Sequence, residues 1–140
     1  MPSKFISDES PSTTPANVPA PLKVAAGIVA AEGALAIVMG VLEAFTINAD
    51  RLVLGLTTAV FLLLYGAGLV VVARGLARAA TWSRGPAVFA QLIQLGVAWS
   101  FWGGSTRWVA VLLAVSGVAV LVAIFQKASL DALVDDPNRR

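Results

Sequence analysis

The chain has 140 residues, of which 58% are hydrophobic and 13% are charged, and its formal net charge is +2. Soluble domains are closer to half apolar and a quarter charged, so the composition excludes an ordinary soluble domain and indicates one small membrane domain. The absence of cysteine and histidine excludes disulfides and thiolate chemistry, and removes the commonest general base and metal ligand.

Residues 1–21 are rich in Pro, Ser and Thr and are predicted to be a disordered tail, because such a segment cannot bury an apolar face. Four apolar runs follow, at about 22–45, 52–73, 86–102 and 108–125. A helix needs about 20 apolar residues to cross a bilayer, so each run is a candidate span. Residues 126–140 are predicted to be a polar C-terminal tail. The predicted fold is an all-α membrane protein with a four-helix transmembrane bundle in residues 22–125.

The first run is dense in Gly and Ala, and its Gly33 and Gly40 lie two turns apart on one face. Helices in lipid associate through close packing, which small residues permit. The pattern therefore predicts that the first helix packs tightly against a neighbour.

Basic residues concentrate on one side of the predicted bundle. Those on that side are Lys4, Lys23, Arg74, Arg78, Arg84, Lys127, Arg139 and Arg140, against Arg51 and Arg107 on the other. The positive-inside rule then places both termini and the central loop in the cytoplasm, as in a multi-pass protein of the cytoplasmic (inner) membrane. Arg74, Arg78 and Arg84 set this topology or contact anionic lipid headgroups. Membrane lipids are thus expected partners, and the positive charge needs no nucleic acid to explain it.

Glu32 lies near the middle of the first run, where a carboxylate costs about 2.5–3.5 kcal/mol on insertion scales. Counting about 1.5 Å of rise per residue puts polar groups of the other three runs at a similar depth. These are Tyr65 in the second run, Gln91 and Gln94 in the third and Ser116 in the fourth. The sequence therefore predicts a polar cluster at the bilayer midplane.

Two interpretations of this cluster are open. Glu32 is a proton or cation acceptor, with Tyr65, Gln91 and Gln94 orienting it through hydrogen bonds. Alternatively, a neutral Glu32 donates to a glutamine of the third run and holds the helices together. A second carboxylate, Glu43, is predicted to lie at the interface and to pair with Arg51 or Arg107.

The helical region resembles small integral membrane proteins of actinobacteria that have no assigned activity. The resemblance rests on Leu-Leu-Leu-Tyr-Gly-Ala-Gly-Leu at 62–69, Ala-Arg-Gly-Leu at 73–76 and Arg-Gly-Pro-Ala-Val-Phe-Ala-Gln-Leu-Ile-Gln-Leu at 84–95, followed by Trp99 and Ser100. It implies a class and a location, without an activity.

The first run alone is similar to the first helix of small multidrug resistance exporters. The matching residues are Glu32, Met39, Glu43, Phe45 and Thr46. This resemblance implies that Glu32 binds the proton or the cationic substrate.

The predicted function is that of a non-enzymatic accessory or interaction subunit without a cofactor, which self-associates or joins a larger membrane complex. The sequence contains no Gly-rich phosphate loop, nucleophile elbow or metal-ligand spacing that would indicate an enzyme. The alternative is a proton-coupled exporter of small cations that uses Glu32.

Overall fold

The computed structural model describes residues 18–134, and these form five α-helices and no strand. The helices are α1 (Ala20–Phe45), α2 (Leu52–Ala77), α3 (Arg84–Ser100), α4 (Arg107–Phe125) and α5 (Lys127–Val134). Single turns of 3-10 helix, Ala49–Arg51 and Thr81–Ser83, lead into α2 and α3. The predicted all-α fold class is confirmed for this part of the chain.

The four predicted runs become α1 to α4 with shifted ends. α1 starts at Ala20, inside the predicted tail, because Pro21 fits the first turn of a helix, where its missing N–H costs no hydrogen bond. α2 continues four residues beyond the predicted end, so that Arg74 lies in its last turn. The other predictions for the N-terminal tail fall on residues 1–17, outside the described residues.

The predicted polar C-terminal tail contains α5, which the sequence analysis missed. Ser129 and Leu133 of α5 are buried, and their spacing of four residues puts both on the face that packs against α1 and α4. The segment is polar in composition, but this one face is enough to anchor a short helix. Residues 135–140 lie outside the described part of the chain.

Three of the helical segments are long and apolar enough to cross a membrane. They are α1, α2 together with its leading turn (Ala49–Ala77), and α4. α3 has 17 residues and is therefore about 26 Å long, slightly less than the hydrocarbon core of about 30 Å.

The helices pack in a ring in which α1 has extensive contacts with α2 and also packs against α4, and α3 packs against α4. α2 and α3 approach each other much less, while α1 and α3 face each other across the ring. Large apolar side chains such as Leu35, Val53 and Leu64 point outward and are exposed. Much of the interior is built from Ala and Gly. A bilayer would cover this apolar exterior, which is far larger than soluble monomers tolerate.

α1 and α2 approach each other closely where Gly33 of α1 meets Gly66 of α2. A Cβ added to Gly66 would lie 2.6 Å from the carbonyl oxygen of Gly33, and one added to Gly33 would lie 2.8 Å from the carbonyl oxygen of Gly66. Backbone atoms cannot yield as a flexible side chain does, so glycine is required on both helices here. Gly40 packs in the same interface, with a Cβ position 3.1 Å from the carbonyl oxygen of Ala59.

We predict that Gly66→Ala destabilises the protein by about 1–3 kcal/mol, because the added methyl forces α1 and α2 apart. The matched control is Gly68→Ala on the same helix, where a Cβ would meet nothing within 4 Å. That change should be neutral or stabilising, since Ala favours helix over Gly by about 1 kcal/mol. Unfolding in detergent measures both, and equal stabilities of the two variants would contradict the glycine contact.

Candidate functional site

Glu32 extends from α1 toward α3 and accepts two hydrogen bonds there. Its Oε2 accepts from Nε2 of Gln91 at 3.0 Å, and its Oε1 accepts from Nε2 of Gln94 at 2.9 Å. The two glutamines share a face because they are three residues apart on α3. In one of the two interpretations drawn from the sequence a neutral Glu32 donates to a glutamine, whereas here both carboxyl oxygens of Glu32 accept.

Gln94 connects this pair of helices to α4. Its Nε2 also lies 2.7 Å from Oγ of Ser116 and 3.0 Å from the carbonyl oxygen of Leu113. Ser116 in turn donates to the carbonyl of Leu113 at 3.2 Å. The amide nitrogen carries two hydrogens and has three acceptors within 3.0 Å, so its bonds are shared among α1 and α4. We call Glu32, Gln91, Gln94 and Ser116 the polar cluster.

Gln91 is the most deeply buried member of the polar cluster, with no exposed surface. Its Oε1 has no hydrogen-bond partner among the described residues. This oxygen lies 3.4 Å from the position that a Cβ on Gly117 would occupy, so glycine leaves room for the amide against α4. A buried acceptor without a partner costs about 1–3 kcal/mol. If the amide of Gln91 rotates, its Oε1 can therefore accept a hydrogen bond from a neighbouring donor.

Tyr65 lies beside the polar cluster and lines the same cavity as Gln94, but it makes no hydrogen bond to Glu32. Its hydroxyl makes no hydrogen bond within residues 18–134. Its ring stacks on Phe61 one turn earlier on α2, with centroids 5.8 Å apart and planes inclined by 10°. Depth along the helix was estimated from the sequence, but the direction in which the side chain points was not.

A cavity of about 270 Å³ lies beside the polar cluster, where α2 and α3 are not closely packed. It is lined by Ala36, Phe61, Leu62, Tyr65, Ile93, Gln94, Val97 and Leu113. Gln94 and Tyr65 are its polar groups, and all four long helices contribute to its wall. Sequence reasoning gave no signal for it, because a cavity depends on how the helices diverge.

The charged residues near the helix ends make contacts outside the polar cluster. Glu43 pairs with Arg51 at 3.8 Å, the first of its two expected partners, and the exposure of Arg51 makes this ion pair weak. The guanidinium of Arg84 lies 5.6 Å from the ring centroid of Phe125 on α4, a cation–π contact that the sequence did not predict. Arg74 and Arg78 are exposed at the end of α2.

Comparisons with protein-family models, with curated proteins and with solved structures find no match to this chain. The two resemblances noted in the sequence therefore stay predictions, and the chemistry of the site rests on its own geometry.

We predict an energetic coupling of about 0.6 kcal/mol, and at most about 1.7 kcal/mol, between Glu32 and Gln94, which are the average and the maximum measured for hydrogen bonds between membrane helices. A double-mutant cycle with Glu32→Leu and Gln94→Leu, read by unfolding in detergent, measures it. The control cycle combines Glu32→Leu with Thr57→Val, because the side chain of Thr57 bonds to Val53 of its own helix and to no other residue of 18–134. A Glu32–Gln94 coupling no larger than that of the control would contradict the assigned contacts.

Proposed function

We propose that the protein crosses the cytoplasmic membrane four times, with α1 to α4 as its spans and both termini in the cytoplasm. The hydrogen bonds from Glu32 to Gln91 and Gln94 support the fourth span, because they bring the middle of α3 level with the middle of α1. A span of about 26 Å is accommodated by local thinning of the bilayer at modest cost. Trp99 in the last turn of α3 and Trp102 in the turn that follows it suit an interfacial position.

The sequence has no cysteine, so this topology can be tested with single introduced ones. Ser105→Cys lies in the turn between α3 and α4, and Thr81→Cys lies between α2 and α3; both positions are exposed. A membrane-impermeant maleimide added to intact cells should label Ser105→Cys and leave Thr81→Cys unlabelled until the cells are opened. The reverse pattern, or equal labelling of both, would contradict the proposed orientation.

Within this architecture, we propose a non-enzymatic accessory or interaction subunit that self-associates or joins a larger membrane complex. The observation that carries this proposal is that each oxygen of the Glu32 carboxylate already accepts a hydrogen bond from a glutamine N–H. The polar cluster thereby links α1, α3 and α4, as interhelical polar groups do in other membrane proteins. The lack of histidine and cysteine in the whole chain is in keeping with a role without catalysis.

The cavity beside the polar cluster favours the alternative, a proton-coupled exporter of small cations. Its aromatic wall, Phe61 and Tyr65, suits an organic cation, since ring faces attract positive charge. In this alternative Glu32 leaves the glutamines to take a proton or the cation. Gln94 belongs both to the polar cluster and to the cavity wall, so a ligand there would compete for its amide.

The two proposals predict different transport by the purified protein in liposomes. For the subunit, uptake of ethidium driven by an imposed pH gradient should equal uptake by protein-free liposomes. Glu32→Gln should keep the fold, because a rotated Gln91 amide can accept from the new side chain through its unpartnered Oε1. In mild detergent, the subunit should purify with a stoichiometric partner or as a defined oligomer.

Proton-driven ethidium uptake would overturn the subunit proposal if Glu32→Gln abolished it without lowering the unfolding midpoint. The matched control is Glu43→Gln, which removes the other carboxylate of α1 at a position paired only with Arg51. An exporter that depends on Glu32 should be insensitive to this control.

A further inference from the structure

A second groove lies between α1 and α2, at the end of the bundle where α1 begins and α2 ends. Its volume is about 380 Å³, and small residues from both helices form its wall, including Gly27 and Ala30 of α1 and Ala73 of α2. Ala73 is buried, whereas Gly27 is exposed and a Cβ there would meet nothing within 4 Å. The two helices touch at Gly33 and leave this groove open two turns away.

Two cations lie at the groove, one from each helix: Lys23 in the first turn of α1 and Arg74 in the last turn of α2. Among the described residues, every other residue of the wall is apolar and none is a carboxylate. Within residues 18–134, the only carboxylate–cation pair is that of Glu43 and Arg51, at the opposite end of the bundle. The groove therefore combines an apolar floor with concentrated positive charge.

We propose that this groove binds one anionic phospholipid, with an acyl chain along the small residues and the phosphate between Lys23 and Arg74. An unbranched chain fits beside small side chains, and the paired cations complement a phosphate bearing a net negative charge. In the proposed topology the ligand belongs to the cytoplasmic leaflet, where anionic lipids are abundant.

The other two arginines at this end of the bundle, Arg78 and Arg84, do not belong to the proposed lipid site. Arg84 already stacks on Phe125, and Arg78 does not line the groove. The proposal thus separates Lys23 and Arg74 from the Arg78 and Arg84 charges, although all four contribute to the same positive end.

The test is native mass spectrometry of the full chain in detergent, titrated with dioleoylphosphatidylglycerol or the zwitterionic dioleoylphosphatidylcholine. The wild type should retain one phosphatidylglycerol in preference to phosphatidylcholine. Lys23→Gln with Arg74→Gln should weaken retention of phosphatidylglycerol at least about tenfold, since each basic residue contributes on the order of 1 kcal/mol to binding an anionic lipid surface. Arg78→Gln with Arg84→Gln, which removes the same charge, should leave retention unchanged.

A second pair of variants tests the groove without changing charge. Gly27→Leu should fill it and lower retention, while Gly68→Leu adds the same side chain on α2 outside the groove and should not. A Cβ at either glycine would meet nothing within 4 Å, so neither protein should unfold below the wild-type midpoint.

Three results would overturn the proposal. One is equal binding of the two lipids by the wild type. Another is an equal loss of phosphatidylglycerol retention in the Lys23→Gln/Arg74→Gln variant and in the Arg78→Gln/Arg84→Gln variant. That result would show that net charge alone attracts the lipid. The third is a wild-type dimer that Gly27→Leu dissociates while phosphatidylglycerol never binds, because a second copy of the chain would then cover the groove. Binding in detergent does not depend on which side faces the cytoplasm, so this test and the topology test fail separately.

Discussion

The carboxylate of Glu32 needs hydrogen-bond donors within an apolar helical assembly, and the positions of three helices depend on how it finds them. Gln91 and Gln94 supply one N–H to each oxygen, which sets the depth and rotation of α3 relative to α1. Gln94 then extends the interaction to Ser116, so α4 is held at the same level. One acidic residue thereby fixes the register of α1, α3 and α4.

Gly33, the next residue along α1, contributes a close packing contact with α2. Successive helical residues point about 100° apart, so Gly33 faces α2 while Glu32 faces α3. The carbonyl of Gly66 fills the space that a side chain on Gly33 would need. Lipid tails are as apolar as the side chains, so burial from water does not drive the helices together, and each contact relies on hydrogen bonds or on close packing. α1 uses both, at adjacent residues, and is the central helix of the assembly.

The remaining pair of neighbours, α2 and α3, has neither kind of contact at the level of the polar cluster. Phe61 and Tyr65 of α2 line a cavity there instead, together with Gln94. α2 and α3 are therefore the least closely packed neighbours, and the gap between them lies beside Glu32. Among the described residues, Glu32 has the only carboxylate near the middle of a long helix. A ligand in this cavity would contact the amide of Gln94, which donates to Glu32. Binding there would therefore affect the hydrogen bond that joins α3 to α1.

Counting along the chain was enough to determine the all-α class, the approximate positions of α1 to α4 and the polar residues that α1, α3 and α4 bring together. Apolar content and run length identify helices long enough for a membrane, and the fixed rise per residue places Glu32, Gln91, Gln94 and Ser116 at one level. Tyr65 lies at that level too, but the tertiary structure turns it toward Phe61 and the cavity. The same structure decides that Gly33 meets Gly66, that Glu32 accepts rather than donates, and that Ser129 and Leu133 anchor a helix in a polar segment. The position of a residue along its helix follows from the sequence, because the rise per residue is fixed. Which neighbour its side chain contacts depends on how the helices pack, and only the tertiary structure decides that.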